Sequence, residues 1–317
     1  MEKKFISFVI PCYRSEKTLK SVVDEIKETM QKLNKYDYEI ILVNDGSPDN
    51  TWDTVKDLAL NDKDKKITGI NFAKNFGQHA ALMAGLGDTK GEYVVCLDDD
   101  GQTPANEVDK LLNALEDGAD AVYARYSHKK HNIFRNFGTL MNEWMAGVML
   151  GKPKDLYVSS YFAVKRFIVD EMIKYESSYP YIIGLVLRST KNIVNVDVNH
   201  RSREVGTSGY TFAKLMALWI NGFTAFSIKP LRIATLSGTV FAILGFIYGI
   251  YTIIKKFVNP DVPMGFSALM SAMIFMGGMI MLMLGMIGEY VGRVYISQNK
   301  NPQYVIREKV GDERDAK

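Results

Sequence analysis

Thiols are scarce: the 317-residue chain has two cysteines, Cys12 and Cys96. So few exclude a disulfide-stapled scaffold, and neither belongs to a metal-ligand spacing. Charge of neither sign dominates, since 39 Lys and Arg against 36 Asp and Glu leave a net +3. That is too little to argue for nucleic acid, and no nucleic-acid recognition motif occurs. A leader is also missing, because Met1-Glu2-Lys3-Lys4 passes straight into an apolar strand without an h-region. The residues that follow are expected to stay unexported, with both cysteines reduced.

Charge itself is absent from residues 233–254 and 262–288, although the chain as a whole is only 47% hydrophobic. A helix needs about 20 apolar residues to cross a hydrocarbon layer of about 30 Å. Both runs reach that length, so the reading is two transmembrane helices, with residues 291–317 as a tail. Lys229 and Arg232 precede the first run, and Arg293, Lys300, Arg307 and Lys309 follow the second. The basic flanks outweigh Lys255 and Lys256 in the turn, which also holds Asp261, so both termini are expected on the cytoplasmic side. Residues 211–232 mix Leu215, Leu218, Trp219, Phe223 and Phe226 with few charges, as an interfacial helix would. Gly245-x-x-x-Gly249 and Gly288-x-x-x-Gly292 allow close helix contact, though glycine is frequent in such helices.

Up to about Asn199, apolar and charged residues interleave. Residues 5–10 read as a strand broken by Pro11, and residues 16–34 as a helix carrying Leu19, Val22, Val23, Ile26, Met30 and Leu33. The strand, loop and helix rhythm recurs with strands expected at 38–43, 66–72, 93–97 and 120–124. Such alternation predicts an α/β fold with a mainly parallel sheet and helices on both faces. Polar residues gather after the strands, where a sheet of this kind binds its ligand.

Asp98-Asp99-Asp100-Gly101-Gln102 follows one of those strands. Side chains alternate along extended backbone, so Asp98 and Asp100 can point one way and Asp99 the other. Carboxylates that close repel unless a cation lies between them. Oxygen ligands suit Mg²⁺ or Mn²⁺, with Gln102 as a third. Thr103-Pro104 supplies an N-cap and first-turn proline for the next helix. Acidic triplets are also common on solvated loops. Similarly, Asp45 to Thr51 is good turn chemistry, yet it places Asp45 at the same sheet edge. Lys74 and the amides opening the helix at 80–86 can meet a phosphate, whereas His79 is expected to face solvent.

Together, Val9-Ile-Pro-Cys-Tyr13, Val43-Asn-Asp-Gly-Ser-Pro-Asp-Asn-Thr51, Asn75-Phe-Gly-Gln-His-Ala-Ala-Leu82 and Leu97-Asp-Asp-Asp-Gly-Gln-Thr-Pro104 resemble family-2 glycosyltransferases. The chain looks most like their polyisoprenyl-phosphate glycosyltransferases, along nearly its whole length. The resemblance implies a GT-A type nucleotide-sugar-binding domain over residues 1–210, interfacial helices over 211–232, and a membrane hairpin over 233–290. It implies that Pro11, Tyr13, Glu16 and Asp45 line base and ribose, and that Asp98 and Asp100 serve ribose and metal with Gln102 nearby. Arg125 and Arg135 would approach the acceptor phosphate, and Arg203 and Ser208 would lie in a segment that closes over both phosphates. Departures are Ser15 where the family often has Glu, Asn44 for Asp, Phe162 for an arginine and Gly209 for a lysine.

The implied enzyme moves one sugar, with inversion, from a nucleotide-diphosphate sugar, UDP-linked by family analogy, to undecaprenyl phosphate. Catalytic weight falls on Asp98, Asp100 and Arg203. It would act at the cytoplasmic face of a bacterial inner membrane, as a homo-oligomer, a tetramer by resemblance. His128 and His131 stand at a possible metal spacing without further support. A processive polysaccharide synthase would add a Gln-x-x-Arg-Trp motif and more spans, and neither is present. A silent membrane scaffold that binds nucleotide sugar is the other alternative.

Overall fold

The computed structural model describes residues 3–126, 147, 152–153, 155–178, 180–199, 229–258, 265–298 and 302–311. It divides into a unit of Met1–Thr211 with Lys300–Lys317 and a second of Phe212–Asn299. Strands of the first unit are β1 (Lys4–Cys12), β2 (Tyr36–Asn44), β3 (Ile67–Phe72), β4 (Tyr93–Cys96), β5 (Ala121–Tyr126), β6 (Phe162–Lys165), β7 (Ile193–Val198) and β8 (Ile306–Val310). They form one sheet in the order β7-β5-β6-β4-β1-β2-β3-β8. Pairings β1–β2, β1–β4, β2–β3 and β5–β7 are parallel, whereas β6 runs antiparallel to both β4 and β5, and β8 antiparallel to β3.

The period of two along the strands sorts the core into layers. Ile6, Phe8 and Ile10 of β1 and Ile40 and Leu42 of β2 pack with α1 (Leu19–Leu33), α2 (Thr51–Leu60) and α4 (Val108–Glu116). Their neighbours Ile41 and Val43, with Ile70 and Phe72 of β3, pack against Ala80, Ala81 and Ala84 of α3 (Gln78–Asp88). Small residues on α3 let it lie close, since a Cβ on Gly85 would sit 2.3 Å from Val9 Cγ1. Two further helices, α5 (Arg166–Met172) and α6 (Ile182–Ser189), follow β6. Leu19, Val22, Val23, Ile26 and Met30 of α1 are all buried, at about 1.5–3 kcal/mol each. An exposed ion pair such as Lys174–Glu171 contributes about 0–1 kcal/mol, so the apolar layers decide the fold.

Several expectations shift. Pro11 does not break β1, which continues to Cys12 in register with β2. Val9 O accepts from Leu97 on the β4 side, so Pro11, two residues on, turns its N–H-less nitrogen to the side where β4 has already ended. The helix after Thr103-Pro104 begins later, at Val108, following a 3-10 turn over Ala105–Glu107. α2 starts at Thr51, the last residue of the expected turn, with Asn50 as its cap.

The largest difference concerns the C-terminal segment, because part of the expected tail is a strand. β8 covers the β3 edge, with Ala73 N–H donating to Val305 O at 2.9 Å and the Tyr304 ring stacked on Phe72 at 5.2 Å. Glu308 accepts from Trp52 Nε1 at 3.1 Å and pairs with Lys56, and Lys309 pairs with Asp88. Arg307 donates to Ala73 O. Two cations counted as membrane flanks therefore also serve the sheet.

The second unit contains α7 (Lys229–Val258) and α8 (Phe266–Gln298). Among the described residues one helix, α8, is long and apolar enough to cross a membrane, through Phe275–Gly292 at mean hydropathy 1.5. In α7 the apolar stretch Thr235–Tyr248 is shorter. The helices meet where Phe241 abuts Phe275 at 5.5 Å and where Met283 approaches Gly238, on which a Cβ would lie 2.9 Å from Met283 Cε. At Gly245, Gly288 and Gly292 an added Cβ would meet nothing within 4 Å, so Gly238 makes the close contact instead.

Replacing Tyr304 with Ala should remove the Phe72 stack and destabilise the full chain by about 1–3 kcal/mol, whereas Tyr304→Phe should stay near wild type. Thermal unfolding in detergent checks this. An unchanged midpoint for Tyr304→Ala would mean that the stack does not hold β8.

Candidate active site

Order in the central strands stops abruptly at their carboxyl ends. β4 ends at Cys96 and the chain bends at Asp99 and Asp100, so the three carboxylates lie beyond the regular strand from which their alternation was argued. Each carboxylate instead has its own partner. Asp98 Oδ1 accepts from Gln78 Nε2 at 3.0 Å, and its Oδ2 accepts from Ser160 Oγ. Asp99 turns inward, where its Oδ2 accepts the Tyr13 N–H at 2.9 Å and its main-chain oxygen accepts from Thr18 Oγ1. Asp100 Oδ1 accepts the Gln102 N–H at 3.1 Å. Burial, assisted by the charges of Asp98 and Asp100, pushes the Asp99 carboxyl up to about 6 against the pull of the Tyr13 N–H.

Asp45, expected to meet base and ribose, is 3% exposed and serves the backbone. Its carboxylate oxygens accept from Phe76 N–H at 2.7 Å and Gly77 N–H at 2.9 Å, and Asn75 Nδ2 donates to its main-chain oxygen. Those two amides, read as phosphate donors, are thus engaged by Asp45. Burial raises its carboxyl, partly offset by the two N–H bonds. Gly46 makes this junction possible: it has φ +59, and a Cβ there would lie 2.4 Å from the Lys74 carbonyl carbon.

The remaining nucleotide candidates stand around the same edge. Pro11 is inside β1, while Tyr13 is 44% exposed just beyond it. Glu16 accepts from Asn50 N–H at 3.2 Å and so braces the entry to α2. Ser15 is buried, with its N–H on Thr51 Oγ1, and Asn44 bridges to Asn71 of β3 at 2.8 Å. Phe162, at the family's arginine position, is core, its ring 5.5 Å from Tyr123. Lys74 lies over the Phe76 ring at 5.1 Å.

His79 overturns its expectation. Instead of facing solvent, its Nδ1 is buried without a partner, and its ring meets Tyr181 edge-on at 5.3 Å. Burial lowers its pKa to about 4. Burial also raises the Cys12 and Cys96 thiols, which keeps them protonated.

On the acceptor side, Arg125 of β5 makes a two-toothed pair with Asp197 of β7, at 2.6 Å from Nε and 3.1 Å from Nη2. Any phosphate reaching Arg125 must compete with that carboxylate. Arg135, Arg203, Ser208, His128 and His131 lie outside the described residues, as do residues 211–228 of the expected interfacial stretch. Sequence reading passed over Gln78, Ser160, Asp99 and Asp197. Gln78 and Asp99 sat inside quoted motifs, but Ser160 and Asp197 carried no signal.

Among the described residues no three His, Cys, Asp or Glu side chains form a metal cluster. Asp98 and Asp100 both lie in the loop after β4, and carboxylates there suit Mg²⁺ or a similar ion, which binds through one or two carboxylates and completes its shell with substrate phosphates and water.

The family model for glycosyl transferase family 2 matches residues 7–172, and that for the GtrB C-terminal hairpin matches residues 229–294. Undecaprenyl-phosphate 4-deoxy-4-formamido-L-arabinose transferases of Yersinia pestis (strain Pestoides F) and Yersinia pseudotuberculosis serotype O:3 (strain YPIII) are each 31% identical over 313 residues. These alignments cover 98% of this chain and 95% of each relative. The fold is similar to glucosyl-3-phosphoglycerate synthase from Mycobacterium tuberculosis, solved with Mn²⁺, UDP and phosphoglyceric acid, at TM-score 0.50 and 20% identity. That match covers 68% of this chain and 74% of the other. The chain belongs to glycosyl transferase family 2 and, within it, to the polyisoprenyl-phosphate glycosyltransferases.

The buried histidine makes a pH prediction. His79 is neutral when folded and gains its proton when unfolded below about 6.5, so its contribution is present above 6.5 and lost as pH falls through about 4. The difference amounts to at most about 3 kcal/mol. Replacing His79 with Gln should flatten the fall in unfolding midpoint between pH 6.5 and 4; an unchanged slope would assign that fall to other groups.

Proposed function

We propose that the enzyme transfers one sugar from a nucleotide-diphosphate donor, UDP-linked, to the phosphate of undecaprenyl phosphate at the cytoplasmic membrane face. The observation that carries this reading is the 98% coverage by undecaprenyl-phosphate transferases, joined to an acidic segment at the carboxyl end of β4. In open α/β sheets that is where ligands bind, close to the point at which strand order reverses about β1.

Tyr13, exposed beyond β1, offers an aromatic face to the base, with its backbone fixed by Asp99. Asp98 and Asp100 would hold Mg²⁺ or Mn²⁺, with Gln102 nearby. When bound, that ion neutralises charge on the departing diphosphate. Arg125 receives the acceptor phosphate, and Arg135, Arg203 and Ser208 are assigned beside it by resemblance. The attacking group is a phosphate monoester with a second pKa of about 6, so it is already anionic and requires no side-chain base. In-line attack inverts the anomeric carbon and gives a β-linked product from an α-linked donor. We read α7 as a second span beside α8, the basic flanks as cytoplasmic, and the assembly as a homo-oligomer, a tetramer by resemblance.

Incubating the full chain with a panel of nucleotide sugars and undecaprenyl phosphate should yield a lipid carrying a single sugar, identified by mass. A lengthening polymer, or nucleotide release indifferent to lipid phosphate, would reject the reading. Asp100→Asn should cut transfer at least 100-fold while the protein still folds, and full activity in chelator would remove the ion from the scheme. Arg125→Ala should raise KM for lipid phosphate about tenfold and leave KM for the donor within twofold, provided that Arg125 pairs with phosphate as with a carboxylate.

A further inference from the structure

We propose that Gln78 and Ser160 are positioning residues that aim the Asp98 carboxylate at a divalent cation bound together with the nucleotide diphosphate. This rests on the proposed reading and extends it to two residues not otherwise assigned.

The donors arrive from opposite directions in the fold. Gln78 is the first residue of α3, delivered by the loop that Asp45 clamps at Phe76 and Gly77. Ser160 precedes β6, which is antiparallel to β4 with Cys96 opposite Phe162. In a parallel sheet the loops at this edge follow strands. The reversed β6 adds a loop that leads into a strand, and so brings a hydroxyl to the carboxyl end of β4. Gln78 Nε2 thereby reaches Asp98 Oδ1, and Ser160 Oγ reaches its Oδ2.

Stability alone does not explain the arrangement. The Asp45 clamp already fixes the Gln78 loop, and the β4–β6 ladder with Ser159 Oγ on Ala124 O already fixes the Ser160 loop. Gln78 is exposed. Ordering an exposed glutamine side chain costs rotamer freedom that offsets much of what its one bond returns. What the bonds supply is direction. Both donors are neutral, so they orient the carboxylate without neutralising it, unlike the guanidinium on Asp197. Partners of this kind typically change metal affinity by about 10–100-fold when removed.

The test uses the full chain in detergent with UDP present, titrated with Mn²⁺ and read by the electron paramagnetic resonance of free Mn²⁺. Threonine and valine differ by one hydroxyl at nearly equal size, so Ser160→Thr and Ser160→Val isolate the bond, and Gln78→Met removes the other donor. Expected is a 10–100-fold weaker Mn²⁺ affinity in Ser160→Val and Gln78→Met, with Ser160→Thr near wild type and all unfolding midpoints similar. Mn²⁺ affinity within twofold of wild type in both, or equal loss in Thr and Val, would overturn the inference and leave the transferase reading intact. No Mn²⁺ binding by wild type would overturn it as well, and the mass of the lipid product would then decide the transferase reading by itself.

Discussion

The site depends on one buried carboxylate, that of Asp45, accepting the N–H groups of Phe76 and Gly77. Parallel strands deliver their loops to a common edge but do not fix how those loops lie. Asp45 ends β2 and reaches across to the loop after β3, so two otherwise separate crossovers become one piece. Gly46 allows the approach, because the Lys74–Asn75 backbone occupies the space of a side chain. The start of α3, and hence Gln78 and its bond to Asp98, follows from that contact.

Electrostatics sets the corresponding cost. Asp45 joins the three consecutive carboxylates after β4 at this edge, and the chain divides the four by the partners they meet. Asp45 and Asp99 are turned inward onto backbone N–H groups, which partly offset desolvation. Asp98 and Asp100 remain nearer the surface, where neighbours orient them. The inner pair builds the edge, and the outer pair is the one proposed to face the ligand. Asp99 rises to about 6 mainly because it is buried, and the charges of Asp98 and Asp100 add to that shift.

Much of this was legible beforehand. Apolar runs and turn residues marked β1 to β5, α1 to α4, and the edge where polar groups collect. The combination of four short motifs marked the family. Three features were not legible, each for a physical reason. β6 is four residues long and opens with Phe162, and nothing in so short a stretch encodes its reversed direction. β8 reads as a charged tail because it lies at a sheet edge, where Glu308 and Lys309 find partners on α2 and α3 rather than in a core. His79 sits in a helix's first turn, normally solvated, and only α6's approach through Tyr181 buries it. Sequence periodicity reports contacts within an element, and these three depend on contacts between distant ones.

The return of β8 also bears on the membrane. Over Phe275–Gly292 none of α8 is buried, and Ile280, Met281, Leu282, Leu284 and Val291 are each more than half exposed. At about 1.5–3 kcal/mol for fully burying one such side chain, hydrating these five would forgo on the order of 5 kcal/mol. That is comparable with a domain's whole stability margin of about 5–15 kcal/mol, so lipid is the better solvent for this helix. If α8 alone crossed, the chain would end on the far side from the sheet it left. Instead residues 306–310 belong to the same sheet as residues 4–12. A chain that leaves one folded unit and rejoins it must cross an even number of times, which supports α7 as the second crossing despite its shorter apolar stretch.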